Sequence, residues 1–319
     1  MAEITDSYGR TFKTLRVSLI NTCNLGCVYC TFGNDEQKEN YKSSKEKSLS
    51  PAELGHLIKQ LHEVLNLDTI RFTGGEPLLY KELPELVKSV KKSGIDNLKI
   101  TTNGLLLENM TGKLKDAGIT ELNVSLDAFD EDIFYKMSRR SGINRTFKGI
   151  DAAIKAGIKV KINSVIMKGL NESQIIPLLN FAADKGITIR FLEIMAMGHL
   201  YGSSDQHFFS QEEILDTINQ HYNFKRLSRQ HSSTANYWQT DEGYTFGIVA
   251  NESEPFCGDC NRLRLDSYGN IYGCLSSNHP ISIKNIDNNE LVLQLEQALK
   301  QKQSLRFAGS ELSMMHIGG

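Results

Sequence analysis

Short apolar runs alternate with amphipathic stretches along the first two thirds of the chain. Within each apolar run, apolar and polar residues alternate with a period of two, and β-branched residues are frequent, as expected of strands. The predicted strands span residues 15–20, 69–73, 97–102, 121–126, 159–167 and 188–194. Helical periodicity between them covers residues 51–67, 82–93, 108–117, 145–156 and 172–185. Pro51 suits the first turn of a helix, and several of the stretches end at a glycine.

Repeated strand–helix units predict an α/β fold with a parallel sheet, either doubly wound or a barrel. Six strands carry polar residues on one face: Arg16, Ser18, Arg71, Thr73, Lys99, Thr101, Asn123, Ser125, Lys161, Asn163, Thr188 and Arg190. That face either points to solvent or lines a channel. Because helices cover the outer face of a parallel sheet, the channel is favoured. We therefore predict an incomplete parallel (β/α)6 TIM-type barrel around a ligand channel.

The pattern changes after about residue 200. A predicted helix at residues 211–221 is followed by a polar segment, hairpin-like strands at 244–249 and 263–266, and a helix at 289–301. We predict two domains. Residues 1–200 form the partial barrel, and residues 201–319 form a small α+β region that closes its open side.

Composition narrows the class of protein. The 319 residues include 36 Lys and Arg against 38 Asp and Glu, a net charge of −2, which excludes a globally basic nucleic-acid binder. Mean hydropathy is −0.32, and no apolar run reaches 18 residues, so no membrane span is predicted. The first ten residues are polar and lack the apolar core of a secretory signal. We expect a cytoplasmic protein.

The six cysteines form two groups of three. Cys23, Cys27 and Cys30 have the spacing C-x3-C-x2-C directly after the first predicted strand, and Cys257, Cys260 and Cys274 have the spacing C-x2-C-x13-C. A [4Fe–4S] cube is usually held by four cysteines, so three leave one iron open to a ligand. The alternatives are zinc sites that lack a fourth ligand, or structural cysteines.

The charged members of the predicted channel are all cations: Arg16, Arg71, Lys99, Lys161 and Arg190. Arg262 and Arg264 lie two residues apart on a predicted strand and therefore share a face. Guanidinium groups in this arrangement can clamp a phosphate chain, so the expected ligand is a polyanion.

Two motifs carry a resemblance to a known superfamily. The first cysteine group, with aromatic Tyr29 before its last cysteine, and the run Arg71-Phe72-Thr73-Gly74-Gly75-Glu76-Pro77 resemble the cysteine and GGEP motifs of radical S-adenosylmethionine (SAM) enzymes. The second cysteine group with Arg262 and Arg264 resembles the MoaA family, the GTP 3′,8-cyclases of molybdenum cofactor biosynthesis. Runs at residues 101–104, 123–127, 149–153, 190–193 and 317–319 extend this resemblance over nearly the whole chain.

The resemblance implies two [4Fe–4S] clusters, one on each cysteine group, and SAM at the open iron of the first. The residues implied to contact SAM are Tyr29, Gly75, Ser125 and Met195, and Glu76 could accept a bond from an ammonium group. Those implied to contact GTP are Arg16, Arg71, Thr101, Lys161, Arg190, Arg262 and Arg264. The catalytic positions are Arg16, Arg262, Arg264 and the Gly318-Gly319 tail, and Lys99 is expected to be an edge or structural lysine.

The implied reaction is the radical conversion of GTP to 3′,8-cyclo-7,8-dihydro-GTP. It implies a reductant protein such as flavodoxin or ferredoxin and a downstream pyranopterin-forming enzyme, and it is compatible with a homodimer. Thr69 departs from the family, since many members carry lysine there, and the stretch from Cys274 to Gly318 is short. Three alternatives stay open: a related nucleotide as substrate, a peptide as substrate, and a non-catalytic iron–sulfur or zinc protein.

Overall fold

The computed structural model describes residues 4–31 and 47–318 and contains one twelve-stranded sheet. Its strands are β1 (Thr14–Ser18), β2 (Thr69–Thr73), β3 (Asn97–Thr102), β4 (Glu121–Ser125), β5 (Lys159–Ile166), β6 (Thr188–Glu193), β7 (Phe224–Arg226), β8 (Asn236–Thr240), β9 (Thr245–Val249), β10 (Arg262–Leu265), β11 (Asn270–Tyr272) and β12 (Ile281–Ser282). The spatial order is β12-β11-β10-β1-β2-β3-β4-β5-β6-β9-β8-β7.

The first six strands are parallel neighbours in chain order, as the predicted (β/α)6 unit requires. Two later strands lengthen this parallel block. β10 adds beside β1 and β9 adds beside β6, both in parallel, so the C-terminal part of the chain supplies both flanks. The sequence pattern indicated hairpins there, and β8–β9 and β10–β11 are indeed antiparallel pairs. Their second, parallel partners come from pairings that are distant in sequence.

Helices α1 to α9 pack around this sheet. They are α1 (Pro51–Leu65), α2 (Leu83–Lys92), α3 (Leu107–Ala117), α4 (Glu131–Ser138), α5 (Ile143–Lys155), α6 (Ile175–Asp184), α7 (Gln211–Asn219), α8 (Asn288–Leu299) and α9 (Met314–Ile317). Ser50 and Glu53 form a capping box at the start of α1, with proline at its first turn. Within residues 4–31 and 47–318, no helix combines the length and apolarity needed to cross a bilayer.

The two faces of the central strands differ as their period-two pattern predicts. Apolar positions such as Leu15, Ile70 and Leu98 are fully buried beneath the helices. The opposite positions, such as Arg16, Arg71 and Lys99, are partly buried and face the interior of the curved sheet. The polar face therefore lines a channel.

Candidate active site

The first cysteine group lies in the loop that leaves the carboxyl end of β1. The amides of Gly26 and Val28 donate to the carbonyls of Ser138 and Met137 at the end of α4, both at 2.9 Å. Arg139 caps α4 and donates from Nη1 to the carbonyl of Thr31 at 2.8 Å. Helix α4, which the sequence analysis did not identify, thus fixes the shape of the cysteine loop.

Gly74 and Gly75 follow β2 and allow two segments of the backbone to approach each other closely. A Cβ on Gly75 would overlap the carbonyl of Thr22, and one on Gly74 would meet the carbonyl of Ile20. The amide of Glu76 donates to Thr22 O at 2.8 Å. The glycines therefore let the β2 loop pack directly against the chain that leads into the cysteine loop.

We expect Gly75→Ala to lower stability by about 1–3 kcal/mol, because the added methyl group overpacks a backbone contact. The matched control is Gly112→Ala inside α3, where a Cβ meets nothing within 4 Å. That control should gain about 0.5–1 kcal/mol, since alanine favours a helix interior. Anaerobic thermal unfolding of both variants checks this. A Gly75→Ala midpoint equal to wild type would contradict the assignment.

Glu76 is buried, and its carboxylate is occupied by protein donors. It accepts from Thr102 Oγ1 at 2.7 Å, from Asn103 N at 2.8 Å and from Leu78 N at 3.0 Å. Burial raises its pKa to about 7. A carboxylate offers about four acceptor positions, so at most one remains for an ammonium group. The bonds that are formed position Asn103, whose Nδ2 lies 3.8 Å from Cys23 Sγ.

Tyr29 is held by a residue that follows β4. Its hydroxyl donates to Asp127 Oδ2 at 2.8 Å, and Asp127 Oδ1 accepts from Val165 N at 2.8 Å. Burial raises the pKa of Asp127 to about 6. Asp127, two residues after Ser125 at the end of β4, therefore fixes the aromatic residue of the cysteine loop.

The second cysteine group is braced by two long basic side chains. Arg10, which pairs with Asp6 at 2.5 Å, donates to the carbonyls of Cys257 and Gln303. Lys302 Nζ lies 3.3 Å from Cys260 Sγ and donates to Arg262 O at 2.9 Å. Burial opposes ionisation of Cys260, but the charges of Arg262 and Lys302 lower its pKa to about 6.

A cavity inside the curved sheet joins this second group to the polar strand face. Its wall contains Arg16, Thr101, Arg190, Met195, Arg262, Arg264, Cys257, Cys260 and Cys274. Burial lowers the pKa of Arg16, and the nearby charges of Arg264 and Arg262 add to this effect. Such a concentration of positive charge favours an anionic ligand.

The cavity wall also carries polar acceptors without partners. Asn123 and Asn251 line it, and within the described ranges their buried Oδ1 atoms have no hydrogen-bond partner. Buried amide oxygens are normally paired. These two oxygens are candidate acceptors for the N–H groups of a ligand.

The C-terminal tail lies between the two cysteine groups. Ser313 Oγ donates to Cys30 O at 3.1 Å, Met314 lines the cavity, and Arg264 donates to Ile317 O at 3.2 Å. Gly318 is buried with a positive φ, and a Cβ there would overlap Thr73. Gly319 lies outside the described residues.

Several predicted residues do not reach the wall of this cavity. Among described residues, its lining does not include Tyr29, Gly75, Glu76, Ser125, Arg71 or Lys161. The first four lie at the carboxyl ends of β1, β2 and β4 or in the loops that follow, whereas Arg71 and Lys161 form ion pairs with Glu121 at the amino end of β4. The roles of Lys302, Arg10 and Glu121 could not be predicted from the sequence, because they depend on partners that are distant in the chain.

The donor atoms of both groups suit iron–sulfur clusters. Each set is thiolate only, and backbone and amide N–H groups point at sulfur, as Leu25 N does toward Cys23 Sγ at 3.4 Å. No three His, Cys, Asp or Glu side chains in residues 4–31 and 47–318 converge as ligands of one metal ion would. Cysteines of a cube bind different irons and need not converge.

This fold and the loop after β1 define a class of proteins. The model of the radical SAM superfamily matches residues 17–182, and the model named Molybdenum Cofactor Synthesis C matches residues 187–308. A GTP 3′,8-cyclase of Synechocystis is 34% identical over 316 residues, covering 99% of this chain and 95% of that protein. A GTP 3′,8-cyclase of Staphylococcus aureus is 38% identical over 281 residues, covering 86% and 81%. The chain belongs to the radical SAM superfamily and, within it, to the GTP 3′,8-cyclase family.

Solved structures show the same fold at low sequence identity. Streptococcus suis SuiB bound to precursor peptide SuiA has a TM-score of 0.62 at 16% identity, covering 83% of this chain and 60% of that one. Native anSMEcpe with bound AdoMet has a TM-score of 0.59 at 14% identity, covering 91% and 81%. Membership of the radical SAM superfamily implies a [4Fe–4S] cluster and SAM.

Proposed function

We propose that the chain is a radical SAM GTP 3′,8-cyclase that converts GTP to 3′,8-cyclo-7,8-dihydro-GTP, the first step of molybdenum cofactor biosynthesis. One observation carries this proposal beyond family membership. A single cavity has four arginines and three cysteines in its wall. The arginines suit a triphosphate, and the cysteines suit a second [4Fe–4S] cluster whose open iron would hold the guanine base.

The first cluster would be held by Cys23, Cys27 and Cys30, and SAM would contact Tyr29, Gly75, Glu76, Ser125 and Met195. The tie between Tyr29 and Asp127 supports this assignment because it fixes the ring beside the cysteines. When bound, SAM and the cluster, reduced by one electron, would supply the radical chemistry that removes the 3′ hydrogen of the ribose.

The chain's own residues would position the substrate. GTP would contact Arg16, Arg71, Thr101, Lys161, Arg190, Arg262 and Arg264. Arg190 is already oriented, since Nε and Nη2 both donate to Asn163 Oδ1 at 2.9 and 2.6 Å. A guanidinium held in this way loses little conformational entropy on binding phosphate. The Gly318-Gly319 tail would take part in catalysis, and the burial of Gly318 against Thr73 supports this role.

Several finer assignments belong to the same proposal. Residues 1–200 would act as the radical SAM domain, and residues 201–319 as the domain that carries the second cluster. The reductant would be a protein such as flavodoxin or ferredoxin, and the product would pass to a pyranopterin-forming enzyme in the cytoplasm. A homodimer is compatible with this arrangement.

The test is an anaerobic assay of reconstituted protein with SAM, dithionite and GTP deuterated at ribose C3′. We expect 5′-deoxyadenosine that carries deuterium, together with an isomer of GTP, both detected by mass spectrometry. Cys27→Ser is the matched control and should produce neither. Cleavage of SAM without any change in GTP would refute the substrate assignment, and other nucleotides and then peptides would be tried next.

A further inference from the structure

Glu121 at the start of β4 is a carboxylate shared by three cations. Its Oε1 lies 3.1 Å from Arg71 Nη2, and its Oε2 lies 3.4 Å from Lys99 Nζ and 3.5 Å from Lys161 Nζ. The Glu121 side chain is 11% exposed. Three positive charges around one negative charge leave an excess of two, partly removed from water.

The sheet register builds this cluster. Arg71 pairs with Lys99 across β2 and β3, and Lys99 pairs with Glu121 across β3 and β4. All three therefore project from the same face at the same level. Arg16 and Arg264 continue the row on β1 and β10. Lys99 therefore belongs to this row, on a strand that lies between β2 and β4.

Glu121 is charged at physiological pH. Burial would raise its pKa, but the charges of Lys161, Lys99 and Arg71 lower it to about 2. The same cations can hold Glu121 or a phosphate, and a phosphate chain that reaches Arg71 and Lys161 comes close to a fixed negative charge.

We propose that Glu121 is an internal anion that competes with the phosphate chain of GTP for Arg71 and Lys161, and that Lys99 retains Glu121 when the phosphate is bound. This inference rests on the proposed function, which places GTP in the channel. The Lys99–Glu121 pair then sets the affinity for GTP. Lys99 acts through Glu121 and is a positioning residue, not a phosphate ligand.

The ion pairs of Glu121 with Arg71, Lys99 and Lys161 fix the direction of each effect. Removing the negative charge of Glu121 frees Arg71 and Lys161 for phosphate and removes a repulsion, so binding tightens. Removing Lys99 leaves Glu121 more strongly engaged with Arg71 and Lys161, so binding weakens. Because Lys99 acts only through Glu121, its removal has little effect once Glu121 is neutral. If Lys99 instead contacted the phosphate directly, its removal would weaken GTP binding whether or not Glu121 is charged.

The test is anaerobic calorimetry of the reconstituted holoprotein with GTP and with guanosine, which lacks phosphate. We expect Glu121→Gln to tighten GTP binding about three- to tenfold and Lys99→Met to weaken it by a similar factor, since these groups are partly exposed. Lys99→Met made in the Glu121→Gln background should change GTP affinity less than about twofold. Guanosine affinity should stay constant throughout.

Lys155→Met on α5 removes the same charge at an exposed position outside the channel and serves as the control. Equal weakening by Lys99→Met in both backgrounds, or a Glu121→Gln variant that binds GTP less tightly, would overturn the proposal. If Glu121→Gln fails to load its clusters, Lys99→Met alone must still weaken GTP binding and spare guanosine. A wild-type protein that binds no GTP would instead count against the proposed function.

Discussion

Replacing Cys274 with alanine is expected to halve the iron content of the reconstituted protein, from about eight irons per chain to about four. Two thiolates cannot hold a cube, so the second cluster should be lost. Cys274 lies beyond β11 and is not part of the loop after β1 that carries the first cysteine group, so the first cluster should still form. SAM cleavage should persist, whereas formation of the cyclised product should fall at least about a hundredfold, because the guanine base loses its anchor.

Iron analysis, electron paramagnetic resonance of the reduced protein and mass spectrometry of the products check this result. The reciprocal variant Cys27→Ala should also bind about four irons but should cleave no SAM. Both variants keep one intact cysteine group, so the comparison separates loss of a cluster from loss of the fold. Two zinc ions in place of eight irons would support the binding-protein alternative.

The period-two pattern of the strands was enough to predict the channel. β2 and β3 begin and end at the predicted residues, and Arg16 and Arg190 lie in the cavity wall as their parity indicated. Alternation within one strand is local information, and so it can be read from the sequence. The parallel pairing of β9 with β6 and of β10 with β1 joins strands that are distant in sequence. The pattern of residues within a single strand does not predict it.

The difference between local patterns and contacts over long sequence separations also explains which residues of the site could not be predicted. Lys302 contacts Cys260 across 42 residues, and Arg10 reaches Cys257 across 247. The sequence around Lys302 and Arg10 does not distinguish either residue from a lysine or arginine on the protein surface. Glu121 was placed correctly at the start of a strand, but its importance depends on the register of two neighbouring strands. The glycines after β2 were recognised in the sequence, but their close contact with the carbonyls of Ile20 and Thr22 was not, because these residues are distant from them in the chain.

Arg264→Ala is expected to weaken GTP binding by about 3 kcal/mol, roughly a hundredfold, while both clusters still form. Arg264 is buried in the cavity wall beside its register partner Arg16, where a charge-assisted bond to phosphate is shielded from water. Arg262→Ala should weaken binding as well. The Arg264→Ala result is easier to interpret, because Arg262 also lowers the pKa of Cys260, a proposed cluster ligand. Calorimetry with GTP and iron analysis provide the two readouts.

Two further variants decide what such a loss means. Arg264→Lys keeps the charge but not the planar fork, so it should recover only part of the affinity, and exposed Arg145→Ala on α5 should bind as wild type does.

Arg264 also donates to Ile317 O, so its removal could act by loosening the tail. Deletion of Gly318 and Gly319 separates these causes. If the arginine binds phosphate, the deletion should lower turnover and change GTP affinity less than about threefold. A deletion that weakens GTP binding as much as Arg264→Ala would assign the effect to the tail and remove Arg264 from the phosphate clamp.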